Sequence, residues 1–116
     1  MPISEFKSLI ELIEKSQSYR KISHQQRMLE LTLVNMHHFS EKAGTKAVTG
    51  SGRYAITEHE LTNVQGLSKL DLFNSIKEAE IKGLIEDCST FNQREWFLTP
   101  DGIMYVEALL EVEKQK

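Results

Sequence analysis

Apolar residues along the chain follow two rhythms, one helical and one alternating, and together they divide it into eight elements. In "SEFKSLIELIEK", Phe6, Leu9, Ile10 and Ile13 recur at helical spacing behind Ser4, so a first amphipathic helix is expected over about residues 4–17. "HQQRMLELTLVNMHHFSEKA" is apolar on more than one side, the mark of a central, buried helix. Ser23 and Gln26 open it as an S-x-x-Q capping box, and it is expected to stop at Gly44, since glycine can adopt the positive φ common just past a helix end. A Gly- and Ser-containing loop, "GTKAVTGSGR", leads to "RYAIT", a short β-prone run. Thr57 with Glu60 makes a second capping box, for a brief helix in "EHELTNV" that ends before Gly66. Ser68 with Asp71 starts the next helix, which runs to about Lys82 and breaks at Gly83. "LIEDC" and "EWFLT" read as strands joined by the polar loop "STFNQR". Thr99-Pro100-Asp101 then supplies an N-cap, a proline at the first helical position and an acid in the first turn of a last amphipathic helix.

The order is helix, helix, strand, helix, helix, strand, strand, helix. Two helices across a tight Gly-containing turn, followed by a β-hairpin, is the order of a winged helix-turn-helix. The expected class is α+β, mostly α, with extra N- and C-terminal helices around the core and a two-stranded wing. Length points to one domain over residues 1–116.

Charge changes this picture more than composition does. The formal net charge is −3, but residues 15–53 carry seven cations against Glu30 and Glu41. A basic segment inside an otherwise acidic chain fits a polyanion-facing surface. No apolar run reaches the roughly 18 residues of a membrane span, and "MPISEFKSL" lacks a secretory apolar core. The single Cys88 cannot form an internal disulfide, so a reducing cytoplasm is expected.

"LSKLDLFNSIKEAEIKGLI" carries a more specific signal. Leu67, Ser68, Leu72, Ile76, Ala79, Gly83, Leu84 and Ile85 match, without a gap, the turn, recognition helix and first wing strand of MarR- and PadR-type winged-helix regulators. "FLTPDGIMYVEALLE" resembles the segment that closes the wing in the same families, so the likeness covers about residues 53–111. It implies that the helix from Ser68 lies in a DNA major groove, with Leu72, Ile76 and Ala79 packed against the central helix. The outward side is then Ser68, Lys69, Asp71, Asn74, Ser75 and Lys77. Ser68 and the free amides of the helix start suit phosphate. Lys69 and Lys77 reach phosphates or guanine acceptors, and Asn74 matches the edge of adenine. Asn92, Gln93 and Arg94 at the hairpin tip would lie along the adjacent minor groove or backbone, while Lys46 and Arg53 add salt-dependent attraction.

The likeness divides the chain into an N-terminal helix (1–20), a winged-helix core (23–99) and a C-terminal dimerisation helix (100–116). A homodimer is expected, because the two terminal helices carry apolar stripes for which a winged-helix core offers little internal cover. Two departures stand out: the segment from Ser68 to Lys82 is electrically neutral, and Leu70 and Phe73 stand where the families usually show polar residues. The expected function is a dimeric, sequence-specific binder of double-stranded DNA that regulates transcription. "LSKLDLF" also resembles the DNA-binding adaptors of tubulin-like plasmid segregation systems, which gives an alternative. A winged-helix protein-interaction module is another.

Enzymatic chemistry finds little purchase. His37 and His38 are adjacent on a helix and point about 100° apart, so they cannot share a metal. His24 and His59 lack ligands at metal spacing, and "GTKAVTGSG" lacks the spacing of a phosphate loop. Cys88 has no evident base beside it. Of Trp96 and Phe97, alternation expects one to face the core and the other to cover a dimer or a small pocket. No enzyme, cofactor or membrane partner is expected.

Overall fold

Leu29, Leu31, Leu33, Val34 and Met36, all on one helix, are each at most 2% exposed, as a helix apolar on several sides requires. That helix, α2 (His24–Ala43), is the centre of the fold. The computed structural model describes residues 3–43, 56–64 and 66–114, with side chains over 6–40, 56–61, 64 and 66–111. The loop expected over 44–53 therefore lies outside the described residues, as do the first three residues of "RYAIT".

α1 (Ile3–Arg20) lays Phe6, Ile10 and Ile13 against this core, and the Phe6 ring stacks on His38 with centroids 3.8 Å apart. α4 (Pro100–Lys114) contributes Val106, with Ile103, Tyr105, Leu109 and Leu110 partly buried around it. This corrects one premise of the sequence reading. The apolar stripe of α1 is covered within the chain, and that of α4 largely so. Among the described side chains, what is left outside is Leu12 and Tyr19 on α1 and Met104 on α4.

α1 continues to Arg20 because its last turn is tied to α2 by a buried polar cluster. Gln17 donates to the Arg27 carbonyl at 3.0 Å and to Glu30 Oε1 at 3.1 Å. Arg20 donates through both terminal nitrogens to Glu30, at 2.9 and 2.6 Å. From the other side, Gln26 donates to Glu30 Oε2 at 3.2 Å and to the Tyr105 hydroxyl of α4 at 2.6 Å. Burial raises the Glu30 pKa, but the bonds from Arg20, Gln17 and Gln26 outweigh it and hold the carboxyl below its usual value. Gln26 thus keeps only the backbone half of the expected capping box, its amide donating to Ser23 Oγ at 3.1 Å. The Thr57–Glu60 box forms in both directions, at 3.1 and 3.2 Å, and opens a single 3-10 turn (Glu60–Asn63).

The next helix, α3 (Lys69–Ile81), begins at the Ser68 cap. Its end is a Schellman motif: Gly83 donates to Glu80 O at 3.1 Å and Leu84 to Ala79 O at 2.9 Å. Gly83 has φ +74, a conformation that a side chain makes costly. β1 (Ile56–Thr57), β2 (Ile85–Asp87) and β3 (Glu95–Leu98) form an antiparallel sheet in the order β1-β3-β2. Ile56 lies opposite Trp96, and Ile85 opposite Leu98. The sheet is therefore three-stranded, because β1 joins the two-stranded hairpin expected from sequence. Trp96 and Phe97 on β3 are both buried, at 0% and 7% exposure; neither is left for a partner as alternation suggested.

The start of α4 locks onto the end of β2's lead-in. Thr99 Oγ1 donates to the Gly83 carbonyl at 2.7 Å and accepts from the Gly102 amide at 3.1 Å. Gly102 itself sits so close to the Leu84 carbonyl that a Cβ could not be accommodated without movement. The result is an α+β architecture, mostly helical, compatible with a winged helix-turn-helix.

Candidate nucleic-acid interface

α3 has two faces, and the sequence sets both. Leu72, Ile76 and Ala79, at i, i+4 and i+7, are 2%, 1% and 0% exposed and pack toward α2. Ser75 is buried with them at 2%, so it does not belong to the outward set where the sequence reading placed it. The outward stripe is Leu70, Asn74, Lys77 and Ile81, again at helical spacing, with Lys69 beside it; all five are exposed. Leu70 and Ile81 are 71% and 86% exposed, which leaves apolar surface on a helix whose other face already fills the core.

The N-terminal end of α3 is more heavily engaged than its sequence shows. Ser68 Oγ accepts from the Asp71 amide at 3.1 Å and donates to Asp71 Oδ2 at 3.0 Å. Asp71 Oδ1 also lies 3.2 Å from Nε2 of His24, at the start of α2. The bonds from His24 and then from Ser68 hold the Asp71 carboxyl below the usual range. Both predicted contact side chains are thus turned toward each other, and what the helix start still offers is its backbone amides. His24, Asp71, Asn74, Lys77 and Ile81 line one open groove of about 490 Å³ between α2 and α3. On the other flank of α3, Leu61, Val64, Leu67, Leu72 and Phe73 floor a cavity of about 270 Å³, with Glu58 and Lys69 at its rim.

Arg94 stands where β3 meets α3. Its guanidinium lies 5.5 Å from the Phe73 ring centroid and 5.0 Å from that of Trp96, and Nη1 is 3.4 Å from Glu58 Oε2. Trp96 Nε1 donates to Glu80 of α3 at 2.9 Å. These contacts link the hairpin to the helix, so Arg94 and the half-buried Phe73 have partners inside the chain. Beyond them the tip is tight. Thr90 donates to Gln93 O at 2.8 Å, and Gln93 donates back at 3.4 Å, leaving Phe91 and Asn92 as the turn. Asn92 and Gln93 are exposed there, as expected, and so is Phe91 at 102%. Below the tip, the Asp87 carboxyl accepts from the Ser89 amide at 2.7 Å and is held low by Ser89. Burial, followed by the charges of Glu95 and Asp87, pushes the Cys88 thiol up, which disfavours a reactive thiolate.

Of the residues expected to meet DNA, Lys69, Asn74, Lys77, Asn92 and Gln93 are exposed on α3 and the hairpin tip, and Arg94 joins the two. Lys46 and Arg53 lie outside the described residues. Within the basic segment, Arg20 is bound to Glu30 and Lys15 and Lys21 are exposed. Sequence reasoning missed His24, whose partner is 47 residues away, and Phe91, whose exposure depends on the turn around it. Among the described residues, no helix is long and apolar enough to cross a membrane.

No family model matches this chain, and none of the curated proteins matches it. Among solved structures, it is similar to one described as type III plasmid segregation TubR, at 14% identity and a TM-score of 0.48, covering 100% of this chain and 88% of that one.

Proposed function

We propose that this chain binds double-stranded DNA by laying the Leu70–Asn74–Lys77–Ile81 stripe of α3 in the major groove. The observation that supports it most is the division of α3. One face is fixed by burial, the start is fixed by a cap, and the outward face pairs polar readers with apolar side chains beside a braced hairpin. Asn74 suits adenine, Lys69 and Lys77 suit phosphate or guanine, and Leu70 suits the methyl group of thymine. With two lysines against three acids, α3 carries a net charge of −1, which leaves non-specific attraction weak, so recognition rests on shape and base edges more than on counterion release.

The finer reading is a dimeric regulator of transcription that places α3 in successive grooves of a palindromic site. Leu12 and Tyr19, seven residues apart on the outer side of α1, are the surface that supports a two-fold contact, and sedimentation of the L12E/Y19E variant tests it. A shift from dimer to monomer is the expected result. A segregation adaptor would use the same α3 face and differ in what it recruits once bound. Leu70 and Ile81 favour a second reading, in which α3 docks on protein.

A salt-titrated gel shift separates these. Binding to random duplex that weakens as salt rises, with a tighter selected site, supports the DNA reading. No binding at low salt refutes it and leaves the protein-docking module.

A further inference from the structure

We propose that Phe91 is an apolar wedge that enters the minor groove beside the α3 site and partly unstacks a base step there. The inference rests on the DNA-binding reading and adds to it a residue, a groove and a class of target. Phe91 is 102% exposed, more than any other large apolar side chain described. It occupies one of the two positions inside the Thr90–Gln93 turn, where Gly, Asn, Asp, Pro or Ser normally serve and where local geometry has no use for an aromatic ring.

The turn is also stiff. Besides the paired Thr90–Gln93 bonds, Cys88 donates to Glu95 O at 3.0 Å, and Ser89 Oγ accepts from the Glu95 amide at 2.9 Å and donates to Glu95 O at 3.3 Å. A rigid support lets a ring be pushed between stacked bases without folding back. Chemistry along the hairpin divides in the same way. Its acids, Glu86, Asp87 and Glu95, lie below the tip, whereas residues 90–94 are Thr, Phe, Asn, Gln and Arg, without an acid. The ring is therefore flanked by the exposed amides of Asn92 and Gln93, which can bond the acceptors on the minor-groove floor, while Arg94 is held by Glu58. Arg94 ties this tip to Phe73 in the first half of α3, which sets the wedge beside the helix.

Apolar wedges of this kind open flexible pyrimidine–purine steps most easily, so the target should carry a TA or CA/TG step next to the α3 contacts. Base–aromatic contact of ordinary strength makes F91A bind about tenfold more weakly.

The test uses a duplex enriched from a random pool by the wild-type chain, with 2-aminopurine substituted at each adenine in turn. The expected result is a rise in 2-aminopurine emission at one step with the wild-type chain, kept by F91L and lost by F91A, while F91A still binds and unfolds at the wild-type temperature. Wild-type binding without any such rise overturns the wedge and leaves DNA binding standing. So does an F91A variant that loses self-association in sedimentation without DNA, since Phe91 is then a protein contact. Failure to enrich any duplex removes the DNA-binding reading itself, and the wedge with it.

Discussion

Replacing Lys69 and Lys77 together with alanine is the most direct trial of where α3 sits. Both lysines are exposed on the outward side, 8 residues apart, and among the described residues no hydrogen bond or ion pair holds either ammonium. If each neutralises one phosphate, each contributes about 0.9 to the slope of log K against log salt. Between about 50 and 200 mM salt, one such contact changes affinity about 3.5-fold, and two change it about 12-fold. The double variant should therefore bind more weakly at low salt and lose about 1.8 from the slope, to the same extent on every duplex tested. Arg94, held by Glu58, and the capped helix start remain, so binding should survive in weakened form. The measurement is fluorescence anisotropy of a labelled duplex at five or so salt concentrations, with circular dichroism to establish that α3 is intact. An unchanged slope together with unchanged discrimination between sequences refutes the placement of α3. Loss of discrimination between sequences with the slope unchanged assigns the two lysines to guanine instead of phosphate.

Three further outcomes follow from the packing. Gly102→Ala forces a methyl against the Leu84 carbonyl and should cost about 1–3 kcal/mol, seen as a lower thermal midpoint. Ser68→Ala removes the cap of α3 and should cost about 1 kcal/mol in chemical denaturation while leaving the core folded. Glu30 has a folded-state pKa below its ordinary 4.5, so its stabilising effect is complete above that value and fades as pH falls through it. Glu30→Gln should therefore lower stability at neutral pH by about 1–3 kcal/mol and flatten the acid limb of the stability profile, because a neutral amide has no proton to take up.

Much of the fold was legible because its signals are local. Ser23, Thr57, Ser68 and Thr99 each act within a few residues, and each accepts the backbone bond its position implies. Leu72, Ile76 and Ala79 were legible for the same reason, since a period of 3.6 residues names a face. The faces of α1 and α4 were not, because an amphipathic stripe says that something covers it and not what. Here the cover is α2, held in register by a Glu30 cluster whose members come from α1, α2 and α4. Ser75 could pass for a groove residue because a small hydroxyl fits either side of a helix. Trp96 and Phe97 misled because alternation assumes one covered face, whereas β3 is covered on both. In the candidate site, the exposed lysines and Asn74 were readable from sequence. The pairing of Asp71 with His24 was not, since nothing in the local pattern brings the start of α2 to the start of α3.

Trp96 is the sole indole in the chain, and it sits buried where β3 meets α3, under one cation and bonded to one carboxylate. The protein therefore carries its own optical gauge at the joint between hairpin and helix. Any ligand that draws Arg94 away from the ring, or shifts α3 enough to release Glu80, should alter the colour and intensity of that single emitter, with no label attached.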